Sequence, residues 1–399
     1  MVHVTPFVLD NFVRQYKLNA KASLHDTCVD PLSFQGLAQL GDTSTPIKAD
    51  APIIYGPSAG NTEIRERILE LYSNDVADPT ELSLTVTQGT IAANFLVLDT
   101  LVGPRDHVVC QYPTYQQLYD VPRRAGAEVT LWRTSPENNW IPDVKQLASL
   151  VKDNTKIIII NNPNNPTGAS IPTGVLEDLV AFAAERDIII LADEVFRPLF
   201  HSPSETNPPS IISFAGRYKN IIATSSVSKG FSLPGIRLGW IISPNPDLIH
   251  QASMAKDYTT ISVSQIDQEL AAFALNGLVR AKIIQRSLDI CGRNLAALEH
   301  FVDTHPKVLS WVKPTGAASA FVCVLDEVSG APVDDVEFCI ALLQKTGLFI
   351  VPGGKTFGTE AEIDFKGYLR VGFVCAPEKF DHALKLWGEY FEQTRSRSI

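Results

Sequence analysis

A lysine is either a solvated charge or a nucleophile, and its surroundings decide which. In "SSVSKGFSLPGIRLGW", residues 225–240, Lys229 follows an apolar run and a cluster of serines, with Arg237 eight positions on. At the edge of a buried pocket such an amine can lose its proton and attack a carbonyl carbon. On the surface, where most lysines lie, it would be only a charge. Three further stretches carry comparable groups. In "VTQGTIAAN" a turn glycine, Gly89, precedes a helix, so the amides of Thr90 and Ile91 open at a helix N-terminus that can hold an anion; a plain tight turn is the alternative. In "LADEVF" Asp193 follows a wholly apolar run, where a carboxylate is costly unless a cation or strong donors meet it. It could also simply cap a helix. In "NNPNNPTG" Asn165 sits among four Asn and two Pro, a composition that equally builds packed loops.

These groups need a scaffold that delivers them to one place, and the apolar patterning describes one. "KIIIINN" reads as a buried strand and "IIILADE" as another. Between them "PTGVLEDLVAFAAERD" reads as a helix with Val175, Leu179, Phe182 and Ala183 on one face. "HVVCQY", "AEVTLW", "NIIATSS" and "RLGWIIS" add strands, with helices between several of them. The fold class is α/β, a large domain with a mostly parallel sheet sandwiched by helices. From about Ser262 a long helical stretch runs through "RNLAALEHFV". After it come strands near "SAFVCVL", "GLFIVP" and "GYLRVGFV", and a closing helix "PEKFDHALKLWGEYFEQ". This second part reads as a smaller α+β domain that the N-terminal residues join. The expected division is 46–284 for the large domain, with 1–45 and 285–399 forming the small one. In open α/β sheets functional residues gather at the carboxyl ends of strands, where Asp193, Asn165, Gly89 and Lys229 all fall.

Composition removes several function classes. A chain of 399 residues with 45% hydrophobic residues can bury one large core and a smaller one. Its formal charge of −10, with no long Lys/Arg run, speaks against a nucleic-acid surface. The apolar runs are of strand length, far short of the roughly 20 residues of a membrane span. No basic and apolar leader opens the sequence, so a soluble, cytoplasmic protein is the expectation. Six cysteines, at 28, 110, 291, 323, 339 and 375, show no metal spacing and read as reduced thiols.

Taken together, the candidates make an anion site (Gly89, Ser226, Arg237), a buried carboxylate (Asp193), a polar amide (Asn165) and a nucleophilic amine (Lys229). Pyridoxal 5'-phosphate (PLP) asks for that set: a phosphate cup, a partner for a protonated ring nitrogen and an amine for an aldehyde. The sequence also resembles the fold type I PLP enzymes of the class I/II aminotransferase family. The resemblance runs from about Tyr55 to Arg370 through "YGPSAGNTEIRERI", "TQGTIAAN", "GPRDHVVCQYPTY", "NPNNPTG", "ADEVF", "PGIRLGW", "VPGGKTFG" and "YLRVGF". It implies Lys229 as the Schiff-base lysine, Asp193 on the ring nitrogen and Asn165 on the ring oxygen near the substrate carboxylate. Ser226, Arg237 and the amides of Thr90 and Ile91 would form the phosphate cup, with Tyr115 stacked on the ring. It further implies a homodimer with shared active sites, Tyr55 reaching the neighbour's phosphate, and Arg370 gripping the α-carboxylate of an amino acid substrate.

One position departs from the family pattern. Phe196 stands where most members place a tyrosine whose hydroxyl bonds the ring oxygen. A branch similar in "AKASLHDTCVDPLSFQGL", "AKDYTTISVS", "KGFSLPGIRLGW", "LRVGFVCAP" and Phe196 is the capreomycidine synthase-like group, which eliminates and cyclises an arginine-derived substrate. Two enzymatic readings therefore stand side by side, transamination of an L-amino acid and elimination with cyclisation. A non-catalytic PLP-sensing module is disfavoured, since no basic helix-turn-helix segment precedes the fold. The loops expected to set specificity are "DTCVDPLSF", "DYTTIS" with Asp257 nearby, and Ala318–Ala320.

Overall fold

The computed structural model describes residues 5–47, 52–201, 207–359 and 364–395. Its larger sheet has seven strands in the spatial order Ser83–Thr87, Gly239–Ser243, Ile221–Ser226, Ile189–Asp193, Thr155–Asn161, His107–Tyr112, Glu128–Arg133. Among the described residues, the Gly239–Ser243 strand alone runs against its neighbours in this sheet, and the other pairings are parallel.

The continuous apolar runs have a direct physical reason. In the Thr155–Asn161 strand Ile157 and Ile159 join one apolar cluster, with Val97 and Leu98 of the Gly89–Leu101 helix. Ile158 and Ile160 join the other, with Leu176 and Leu179 of the Thr173–Ala184 helix. Both faces are covered, so alternation disappears from the sequence. The Thr173–Ala184 helix buries Leu176, Leu179, Val180 and Ala183, an i, i+3, i+4, i+7 stripe. The expected face is thus rotated. Val175 and Phe182 are only half-buried at its flanks, and the Arg186 guanidinium lies 3.9 Å from the Phe182 ring centre.

The smaller unit is a four-stranded antiparallel sheet in the order Val351–Pro352, Tyr368–Gly372, Ser319–Val324, Leu309–Trp311, packed by the Asp335–Thr346 and Pro377–Arg395 helices. N-terminal residues enter its apolar cluster through Leu9, Phe12, Leu24 and Val29. Ala22–Ser23 also pairs in parallel with Leu348–Phe349. The expected single helical stretch after Ser262 is two helices, Gln265–Leu275 and Gly277–Asp303. Asn276 between them takes extended ψ, and its side chain accepts from the Leu278 amide, ending one helix and capping the next. All six cysteines are free, with Cys28 and Cys375 half-buried and the rest buried. Among the described residues no helix is long and apolar enough to cross a membrane.

Candidate active site

The parallel strands end at Tyr112, Asn161, Asp193 and Ser226. Beyond those ends lies a cavity of about 320 Å³, within the range of roughly 300–1,000 Å³ usual for small-molecule sites. Lys229, Asp193, Asn165, Tyr115, Thr90, Ile91, Ser226, Arg237, Phe196 and Arg370 all line it. Tyr55 does not; it is 85% exposed on the surface. Asp257 is also absent from the lining, exposed and accepting from the Ser58 hydroxyl at 3.3 Å.

Asp193 is buried at the floor. Its Oδ2 accepts from Asn94 Nδ2 at 2.7 Å and its Oδ1 from the Val195 amide at 3.0 Å. Asn94 in turn accepts from the Thr224 hydroxyl at 2.6 Å. Burial pushes this carboxyl up to about 6, against the two hydrogen bonds and the positive charge of Lys229, which pull it down. A carboxylate held that way is short of a cation. Asn161 braces the neighbouring loop, donating to the Asp193 carbonyl at 3.0 Å and accepting from the Asn165 amide at 2.7 Å.

The anion cup forms where the Gly89–Leu101 helix begins. Among the described residues no side chain caps its N-terminus, so its first amides, which no helical turn can satisfy, stay open. Arg237 reaches over that end, with Nη2 3.4 Å from the Gln88 carbonyl and Nη1 3.3 Å from Ser228 Oγ. Gly89 has φ +77°, and a Cβ there would lie 2.5 Å from Arg237 Nη2. Arg237 itself has φ +45°, a left-handed conformation costing a bulky residue about 1–3 kcal/mol. The cup therefore spends backbone strain to bring a guanidinium onto open amides. Ser226, at the strand end beside it, accepts from the Ser228 amide at 3.2 Å.

Lys229 points into the cavity, its Nζ donating to Thr27 Oγ1 at 2.8 Å and to Cys28 Sγ at 3.3 Å. It also lies 5.7 Å from the centre of the buried Phe196 ring. Arg370, 4% exposed, comes from the smaller sheet and donates to the His25 carbonyl at 2.5 Å. Burial lowers it to about 10, and it stays cationic. Burial also drives His25 down to about 4, leaving a neutral ring. Tyr115 packs its ring 5.1 Å from Phe7, and burial raises its hydroxyl above the usual phenol range.

Sequence reasoning missed Asn94, Thr224 and the direct contact of Thr27 and Cys28 with Lys229. A signal existed for Asn94, which closes the "TQGTIAAN" stretch one helical turn after Thr90. Thr27 and Cys28 fell inside a loop read only as a specificity element.

Among the described residues, the buried Thr90 Oγ1, Asn165 Oδ1 and Arg370 Nε have no hydrogen-bond partner. Buried polar atoms are normally paired, so three of them around one cavity point to a ligand. Their positions suit PLP and an amino acid: an anion cup at one end, a carboxylate short of a cation at the floor, and an amine and a guanidinium on the walls.

Comparisons with known proteins agree. The model of the family "Aminotransferase class I and II" matches residues 51–386. The chain is 26% identical over 378 residues to the capreomycidine synthase of Streptomyces vinaceus, covering 94% of this chain and 91% of that one. It is 27% identical to the aspartate aminotransferase of Pyrococcus horikoshii, covering 83% and 81%. A PLP-dependent aminotransferase structure from Streptococcus suis superposes with a TM-score of 0.86 at 33% identity, covering 98% of both chains. The structure of a PLP-dependent cyclase, OrfR, superposes at 0.84 with 24% identity over 98% of both, a likeness of fold.

Proposed function

The chain belongs to the class I and II aminotransferase family and is a PLP-dependent enzyme, and on that premise we propose that it transfers the amino group of an L-amino acid to a keto acid, with Lys229 the residue bonded to the cofactor's aldehyde. The observation that carries this reading is the Lys229 amine facing one cavity with buried Asp193 and buried Arg370. When bound, PLP supplies an electron-withdrawing ring that stabilises negative charge at the substrate's α-carbon. Asp193 keeps the ring nitrogen protonated. Thr90, Ile91, Ser226 and Arg237 hold the phosphate, Asn165 bonds the ring oxygen, and Tyr115 covers the ring face. Arg370 takes the α-carboxylate in two parallel hydrogen bonds, which orients the α-carbon toward Lys229. Lys229, whose amine faces the same cavity, would move the proton at that carbon.

We further propose a homodimer. A groove of about 810 Å³ shares Ile91, Gln117 and Arg237 with the cavity, so it reaches the phosphate cup from outside. Exposed Ile53, Ile54 and Tyr55 supply the segment that would enter the same groove on a second copy. Residues 46–284 serve as the cofactor-binding domain, and 1–45 with 285–399 as the smaller one. Six free cysteines fit a reducing, cytoplasmic setting.

A second reading, elimination and ring closure on a modified amino acid, is favoured by two observations. The buried Phe196 brings no hydroxyl to the ring oxygen, and the similarity to capreomycidine synthase extends over most of the chain. A single turnover with an amino donor and no acceptor separates the two. Transfer leaves the cofactor aminated and releases one equivalent of keto acid, with turnover sustained once a keto acid is added. A cofactor that returns to its aldehyde form while the substrate loses a leaving group establishes the second reading instead.

A further inference from the structure

We propose that Cys28 is a second proton-transfer residue of this site, exchanging a proton directly with the Lys229 amine. The proposal rests on Lys229 being the reactive amine. Among the described residues its Nζ has two protein acceptors, Thr27 Oγ1 at 2.8 Å and Cys28 Sγ at 3.3 Å. They differ in what they can do with a proton. A threonine hydroxyl does not ionise in water at accessible pH, so Thr27 can only orient the amine. A thiol ordinarily titrates near about 8.5 and an amine near about 10.4, close enough for a proton to pass between them at small cost. The step is balanced: one proton leaves the Lys229 ammonium for the Cys28 thiolate, giving neutral amine and neutral thiol, and the reverse step restores both charges. The nitrogen lone pair so exposed is the one Lys229 needs as nucleophile and as base.

The contact is built into the fold. Residues 24–30 are clamped by Leu24 N to Phe349 O at 2.9 Å, Gly372 N to Leu24 O at 2.7 Å and Asp30 N to Val374 O at 2.9 Å. Arg370 adds its bond to the His25 carbonyl. The segment lies so close on the Tyr368–Gly372 strand that a Cβ at Gly372 would meet the Asp26 carbonyl oxygen at 1.7 Å. The backbone that carries the sulfur is therefore held against the smaller sheet. The charged and titratable groups that line the cavity with it are His25 and Asp26 on its own segment, Arg370 on the adjacent strand, Asp10 on the Val8–Tyr16 helix, and Lys229, Asp193, Tyr115 and Arg237 on the large-domain side.

Two measurements test this. In cofactor-free protein, iodoacetamide labelling of the Cys28 peptide, followed by mass spectrometry at pH 7, should be about tenfold slower in Lys229→Met than in wild type, because the sulfur loses the amine that exchanges its proton. An equal or faster rate overturns the proposal, and it does so without touching the assignment of Lys229 to the cofactor. In loaded enzyme, Cys28→Ser keeps a hydrogen-bonding group but replaces the ionisable thiol by a hydroxyl that does not ionise in water. It should lower kcat about tenfold, leave KM within about twofold, and remove one ionisation from the pH profile of kcat. An unchanged kcat and profile also overturns it, reducing the sulfur to a spacer.

Discussion

Asp193 shows what a single residue contributes and costs. Its folded-state value of about 6 lies above the ordinary 3.8 because burial disfavours the charged form. The folded protein thus holds the proton more tightly than the unfolded chain. The contribution is complete below about pH 3.8 and is lost as pH rises through about 6, a change of about 3 kcal/mol at 1.36 kcal/mol per unit. Glu194 next to it, raised by burial to about 7, gives a second loss of the same sign. The difference between wild type and Asp193→Asn isolates the first. Asn94 can flip its amide to accept from an asparagine while donating to Thr224, so the network survives the substitution. Cofactor-free Asp193→Asn should therefore be at least as stable as wild type at pH 8 and lack its share of the decline between about pH 4 and 6. The same variant should bind PLP more weakly and turn over slowly. Urea unfolding across that pH range checks the first half, and a parallel decline in both proteins would mean that the carboxylate already has a partner that meets its charge.

Elements decide whether such residues meet, and here glycine geometry is the controlling feature. The Gly89–Leu101 helix can present open amides because Gly89 takes φ +77° and leaves room for Arg237. Gly89→Ala combines a disfavoured conformation with a Cβ at 2.5 Å from Arg237 Nη2, so the guanidinium must move off the helix end. PLP affinity should fall by at least about tenfold, read by equilibrium dialysis, while the far-UV circular dichroism stays that of the folded protein. Unaltered affinity would place the phosphate elsewhere. The same scale explains what was legible in the sequence. Strands buried on both faces leave unbroken runs such as "KIIIIN", and their polar ends at Asn161 and Asp193 follow immediately, so sheet and floor could be read together. The face of the Thr173–Ala184 helix could not, because the helix is apolar nearly all round and packing selects the stripe. Asn94 meets Asp193 across 99 residues, and Thr27 meets Lys229 across 202. The first contact is set by how the Gly89–Leu101 helix packs on the large sheet and the second by how the N-terminal segment meets the large unit, and no local pattern records either.

At the scale of the whole molecule, two features remain unexplained by one chain: Tyr55 is exposed, and a groove opens on the phosphate cup from outside. The proposed second copy would account for both. Mixing a Tyr55→Phe chain with a Lys229→Ala chain should restore activity, because each heterodimer contains one site with both native residues. Two inactive or impaired homodimers that stay so on mixing, under conditions where subunits exchange, would show that each site is complete within its chain. Everything above, from the cup to the dimer, depends on where the cofactor is joined to the protein. Borohydride reduction of the yellow enzyme, followed by proteolysis and mass spectrometry, measures that directly. The expected result is a single phosphopyridoxyl-labelled peptide carrying Lys229, absent from Lys229→Ala. Label on any other lysine, or a reduced enzyme that still releases its cofactor on denaturation, would contradict it.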